Sequence, residues 1–245
     1  MPDRARGRLA VRLTVLKLLR SPATLVSALS LPALVAFVSA RELPSTALRI
    51  FLYLLPHIFL VMTQNMFRGE AAGGALENVL FVRWGFRRHI LWKNAALVLA
   101  GVAYAILIFA VIQAAGLGTH RVGPVDLPGL AVSLCAGVYY IGLGGLLGHF
   151  LEGGSNVLVL IVAQAAAVVG LIVDASGGNR FLEALATGTF SGHGEPLRFI
   201  VLASVLPNIL VAAPLRRHAP WIIPAAGALF LIQVLIVRRS ELRGR

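Results

Sequence analysis

The sequence predicts an all-α, polytopic membrane bundle, and three observations predict it. Hydrophobic residues make up 58% of the 245 and charged residues only 13%, about half the ~25% charged share of an ordinary soluble domain. Such a chain lacks the polar side chains to cover a water-facing surface. Apolar runs recur at 23–40, 50–66, 94–115, 129–148, 157–173 and 219–237, each about long enough for a ~30 Å hydrocarbon core at 1.5 Å per helical residue. The third observation is the placement of arginine between those runs. A net charge of +12 suggests nucleic acid in a soluble protein, but here it follows the positive-inside rule and no nucleic acid is implied.

The N-terminal segment, residues 1–22, holds six Arg or Lys and one Asp. It shows no small-residue cleavage site before the first apolar run and reads as a retained cytoplasmic segment. Residues 67–93 carry five more basic residues and the tail after 237 carries four. With six spans and both termini inside, the inner segments then hold 15 of the 22 basic residues. A seventh apolar stretch, 199–213, is short and broken by Pro207. If it also crossed, the inner share would fall to 13 of 22. Proline removes a donor and breaks a helix, so this stretch is expected to be a re-entrant or short helical hairpin before the last span. Residues 174–218 then form an outer segment, with a short helix over 181–186. No repeat or linker divides the chain, which reads as one domain over 1–245.

Polar groups inside spans carry the next expectations. His57, beside Pro56, is the one ionisable residue near mid-span. It could line a path or sense protons, but with no Asp or Glu inside a span the favoured role is an interhelical hydrogen bond. Gln64 and Asn65 sit near the inner boundary and Gln164 in the fifth span; with His57 they are the candidate path residues. The fourth span is glycine-rich, and its Gly144-x-x-x-Gly148 pair suits close helix packing within the subunit, or a dimer contact. His149 and Glu152 read as a solvated loop. The lone Cys135 forms no internal disulfide, and the six histidines show no metal-ligand spacing. No phosphate-binding Gly-x-x-x-x-Gly-Lys-Ser/Thr motif occurs, so ATP chemistry by that route belongs to another chain.

The loop after the second span is the most informative stretch. It begins at Glu70, continues through small residues to Gly74, then Leu76-Glu77 and the apolar pair Val79-Leu80. It reaches Arg83 and Trp84, passes Arg87 and Arg88, and enters the third span through Ile90-Leu91 and Lys93. This order resembles the membrane subunits of type-2 ABC exporters, the ABC-2 permease family. Their loop commonly reads Glu-Arg-Glu-x-Gly-Thr-Leu-Glu before an Ile-Leu-Leu-x-Lys entry. Ala75 replaces the usual threonine, and Arg83 stands where proline is common. The resemblance implies a permease subunit that dimerises with a second copy or a paralogue and pairs with a separate ATPase carrying the ATP and magnesium. It implies a docking surface at Glu77, Val79, Leu80, Arg83 and Trp84, with Arg87, Arg88 and Lys93 anchoring the return at lipid phosphates. It also implies a helix along the inner surface before the first span, a cell-membrane location, and a path lined partly by the first, second and fifth spans. The cargo class it suggests is hydrophobic or amphipathic. The competing readings are an intramembrane enzyme, for which paired carboxylates or a Ser–His pair are missing inside the spans, and a non-catalytic assembly or immunity protein.

Overall fold

The chain enters its bundle through a corner at Ser21. Helix α1 (Asp3–Arg20) and helix α2 (Pro22–Arg41) are separated by this one residue and meet at 74°. The cause is local. Pro22 lacks an N–H and suits a first helical position, while the Ser21 hydroxyl accepts from the Thr24 amide at 3.4 Å. On α1, Thr14 and Leu18 are buried while Leu13, Leu16 and Leu19 are exposed among Arg12 and Arg20. The computed structural model describes residues 3–41, 44–64, 86–118, 126–151, 154–176 and 180–243.

Helix α3 (Pro44–Met62) packs against α2 and supplies Phe51, Leu52, Leu55 and Phe59 to the core. Helix α4 (Phe86–Gly118) is 33 residues long and continuous, about 50 Å at 1.5 Å per residue. Residues 86–93, expected in the loop, are therefore already its first two turns. Helix α5 (Leu127–Leu147) is the hub, packed against α3, α4 and the last helix. Its start is legible: the Asp126 carboxylate accepts the Gly129 amide at 2.9 Å, with Pro128 in the first turn.

Phe59 explains two of the glycines at this centre. Its fully buried ring lies between Gly101 of α4 and Gly137 of α5. A Cβ on Gly137 would meet the ring at 2.7 Å, and one on Gly101 would come nearer still. Small residues let three helices close around one aromatic.

Helix α6 (Ser155–Ser176) follows a turn at Gly154, whose φ of +85° favours glycine. It packs more peripherally. Helix α7 (Phe181–Thr187) matches the expected short helix. Helix α8 (Glu195–Val205) stops before Pro207, and the chain continues as two 3-10 segments, Pro207–Val211 and Ala213–Trp221, into helix α9 (Ile222–Arg243). The segment 199–215 supplies Phe199, Leu202, Leu206, Leu210 and Leu215 to a second core cluster with Tyr139 and Tyr140.

Among the described residues, four helices are long and apolar enough to cross a membrane, or five if the bent α1–α2 pair is one span. The apolar part of α3, Thr46–Met62, is shorter. The expected count of six therefore turns on α3.

Candidate functional site

The polar residues gather in three places. The first is the helix break at Pro207. Pro207 has no N–H, and the following 3-10 turn sends the Ile209 amide to the Leu206 carbonyl at 3.2 Å. The Ser204 and Val205 carbonyls thereby lose their usual helical donors. Side chains from other helices replace them. Tyr139 Oη donates to the Ser204 carbonyl at 3.0 Å, and Gln164 Nε2 donates to the Val205 carbonyl at 3.3 Å. Gln164 also donates to Tyr140 Oη at 2.8 Å. The Tyr140 proton then points to the Val205 carbonyl at 3.4 Å or to Asn208 Oδ1 at 3.3 Å. Asn208 Nδ2 closes the set on the Tyr53 carbonyl at 3.2 Å.

His57 Nε2 lies 3.1 Å from Gln164 Oε1, the interhelical contact favoured on sequence grounds. Two candidate path residues, His57 and Gln164, are thus brought together. Gln64 lies elsewhere, packed over Gly154.

The second place is the C-terminal end of α5. Asn94 Nδ2 donates to Gln233 Oε1 at 2.9 Å, and Gln233 Nε2 donates to the Gly142 carbonyl at 2.6 Å. This ties α4, α9 and α5 into one unit. Asn156 Nδ2 donates to the Gly144 carbonyl at 2.9 Å and to Thr63 Oγ1 at 3.3 Å. Gly144 packs against Thr63 and Leu60 of α3, and the Gly148 amide bonds to the Gly144 carbonyl at 2.9 Å. Gly144 therefore serves packing inside the subunit.

Two expectations need correction at this end. Lys93 is only 1% exposed, inside the bundle rather than at lipid phosphates, because α4 begins two turns earlier than the loop reading placed it. Arg88 is exposed. His149 is not in a solvated loop. It is mostly buried, and that burial, with the nearby Lys93 charge, pushes its imidazole down to about 4.

The third place is the start of α5. Asp126 and Arg216 form a two-pronged ion pair at 2.8 and 2.5 Å, and Arg216 Nε donates to the Val211 carbonyl at 2.8 Å. Burial alone would raise the Asp126 carboxyl. The hydrogen bonds from Arg216 and Gly129, with the charges of Arg216 and Arg49, overcome it and hold the carboxyl below its ordinary value. A cavity of about 620 Å³ opens beside the pair, walled by α3 and the 3-10 turn. Sequence reasoning did not find it. Asp126 was legible as a helix cap, but its partner lies 90 residues away, beyond any spacing rule.

Asn65, Glu70, Gly74, Leu76, Glu77, Val79, Leu80, Arg83, Trp84 and Glu152 lie outside the described residues, and Arg87 only enters as the second residue of α4. Among the described residues, no three His, Cys, Asp or Glu side chains converge as a metal site would require.

Long apolar helices with outward-facing aliphatic side chains, joined by inward-facing amides and tyrosines, define a class: a membrane-embedded helical protein. Comparison with known protein families, with characterised proteins and with solved structures finds no match for this chain.

Proposed function

We propose that this chain is the membrane-spanning permease subunit of an ATP-driven exporter of hydrophobic or amphipathic cargo, paired with a separate ATPase and a second permease copy or paralogue. The crossings would be α2, α3, α4, α5, α6 and α9, with both termini and the 65–85 loop on the cytoplasmic side of the cell membrane. Helix α1 would lie along that surface, its exposed leucines among the acyl chains and its basic residues at headgroups. The interrupted α8 with its 3-10 turn would be re-entrant from the far side. Irregular backbone at membrane depth is tolerated where protein satisfies it, and Tyr139, Tyr140 and Gln164 do so here.

The observation that carries the reading is the continuity of α4. A docking loop needs a stiff connection to what it moves. In the sequence, the 65–85 segment that holds Glu77 and Arg83 is followed directly by a 33-residue helix. Eight residues in, that helix is pinned by Asn94 to Gln233 and through it to Gly142. A push on the start of α4 would pass along this helix to α5 and α9 through that pinned contact.

The test is co-purification of the tagged chain from its native host in mild detergent. An ATPase subunit should come with it, its turnover should respond to the permease, and Glu77→Ala or Arg83→Ala should weaken that capture. Isolation of the chain with no ATPase, at intact yield, would overturn the reading.

A further inference from the structure

The cavity beside Asp126 has a charge pattern that the ion pair does not explain. Asp126 is fully committed: its Oδ1 accepts from Gly129 and Arg216, and its Oδ2 accepts from Arg216. Arg216 also donates its Nε–H to the Val211 carbonyl. Within the wall, these two charges cancel and hold each other still. Among the described residues, Arg49 is the remaining ionic group lining the cavity, and it bears on Asp126 only through its charge. Among the described residues, its guanidinium makes no hydrogen bond and no ion pair. Nor does the hydroxyl of Tyr53, a residue that lines the same cavity; the Tyr53 backbone carbonyl accepts from Asn208.

Arg49 and Tyr53 are four residues apart on α3, so they stand one turn apart on one helix face. Among the described residues, two donor side chains without acceptors therefore line the cavity, and its described wall carries one net positive charge. The rest of its wall is mostly aliphatic, including Ile50, Leu54 and Val211. Its volume of about 620 Å³ lies within the ~300–1,000 Å³ range of small-molecule sites.

We propose that this cavity binds an anionic amphipath, with the anionic head on Arg49 and Tyr53 and its apolar chain along Ile50, Leu54 and Val211. A guanidinium suits carboxylate or phosphate through charge-assisted hydrogen bonds, and the tyrosine hydroxyl adds a second donor. The Asp126–Arg216 pair is the fixed rim: it holds the 3-10 turn, and its carboxylate repels a head group placed away from Arg49. The site is independent of whether an ATPase partners the chain.

The experiment uses the full chain in nanodiscs of zwitterionic phosphatidylcholine, with dodecyl phosphate as probe and thermal unfolding as readout. Dodecyl phosphate should raise the unfolding temperature saturably. Inorganic phosphate and dodecyltrimethylammonium should not, which separates an amphipath site from a bare anion site and from general partition into the disc. Arg49→Gln, at an exposed position, should weaken the effect about tenfold, the equivalent of ~1.4 kcal/mol, and Tyr53→Phe a few-fold, on the order of one neutral hydrogen bond. Equal stabilisation by the cationic probe, saturation by inorganic phosphate alone, or an Arg49→Gln response equal to that of the parent chain would each overturn the proposal. Because no ATPase is present, failure here leaves the transport reading untouched, and failure to capture an ATPase leaves this one untouched.

Discussion

Helices α5 and α6 follow one another in the chain, have 21 and 22 residues, and do opposite things. Half of α5 is buried within the protein, against 22% of the most apolar stretch of α6. Yet the more buried helix is the one with glycines, tyrosines and a serine on its inner face, while α6 is nearly all aliphatic. In water the reverse would hold. In lipid the outward face must be apolar, and no hydrophobic gain rewards burial between helices. What α5 needs is close approach and satisfied polar atoms. Gly137 and Gly144 give the approach. Ser133 Oγ donates to the Leu52 carbonyl at 2.6 Å, and Tyr139 and Tyr140 serve the helix break. On α6 only the face with Asn156, Leu160 and Gln164 turns inward.

The largest test of this contrast is steric. Gly137→Leu drives a side chain into the buried Phe59 ring and should cost about 1–3 kcal/mol or more, read as a lowered unfolding temperature in detergent. The turn joining the two helices should show next in a pH series. A His149 held near 4 folds as the neutral form. Its contribution is complete above the ordinary value of 6.5 and is lost as pH falls from there through about 4, on the order of 2 kcal/mol. His149→Gln should flatten that part of the profile, and an unchanged slope would remove His149 as its source.

Tyr140→Phe should cost about 1 kcal/mol, because Gln164 still reaches the Val205 carbonyl but loses its tyrosine partner. Leu160→Phe on α6 is a poor control since it is buried; Val162→Ala, on the exposed face, should be nearly silent in the same assay. At the start of α5, the depressed Asp126 carboxyl contributes stability above the ordinary carboxylate value near 4. That contribution fades as pH falls through its lower folded value. The pair is about one quarter exposed, so Asp126→Asn should cost under about 1 kcal/mol at neutral pH and remove that acid-side loss. The smallest effect belongs to α6. A Cβ on Gly170 meets nothing within 4 Å, so Gly170→Leu should leave the unfolding temperature unchanged within error. A loss as large as that of Gly137→Leu would show that the outer face of α6 is covered.

Much of the fold was legible because lipid imposes long-range uniformity on local sequence. Runs of apolar residues mark helices whatever their neighbours, and α2, α4, α5, α6 and α9 lie where those runs are. Pro207 broke the penultimate stretch for a reason internal to the backbone. Glycine density announced α5 as a packing helix, and His57 as an interhelical bond followed from the lack of an acid near it. The errors share one cause. Lys93 and His149 were judged by their neighbours in sequence, as charged residues flanking apolar runs, whereas their burial depends on how far α4 extends before the span and on what α5 packs against.

Composition and the apolar runs by themselves determined that this is a helical membrane protein, where the middle of most of its long helices lies, that the penultimate stretch breaks at Pro207, and on which segments its basic charge sits. Those properties depend on the free energy of transferring each residue to lipid and on backbone geometry, which are local. Tertiary structure decided that Phe59 sits between two glycines, that Tyr139, Tyr140 and Gln164 take over the carbonyls freed before Pro207, and that Asp126 finds Arg216. Each of these joins residues 24 to 90 positions apart. In a bilayer every outward face looks alike, so the choice among inward partners rests on shape and on hydrogen bonds that exist only once the helices have met.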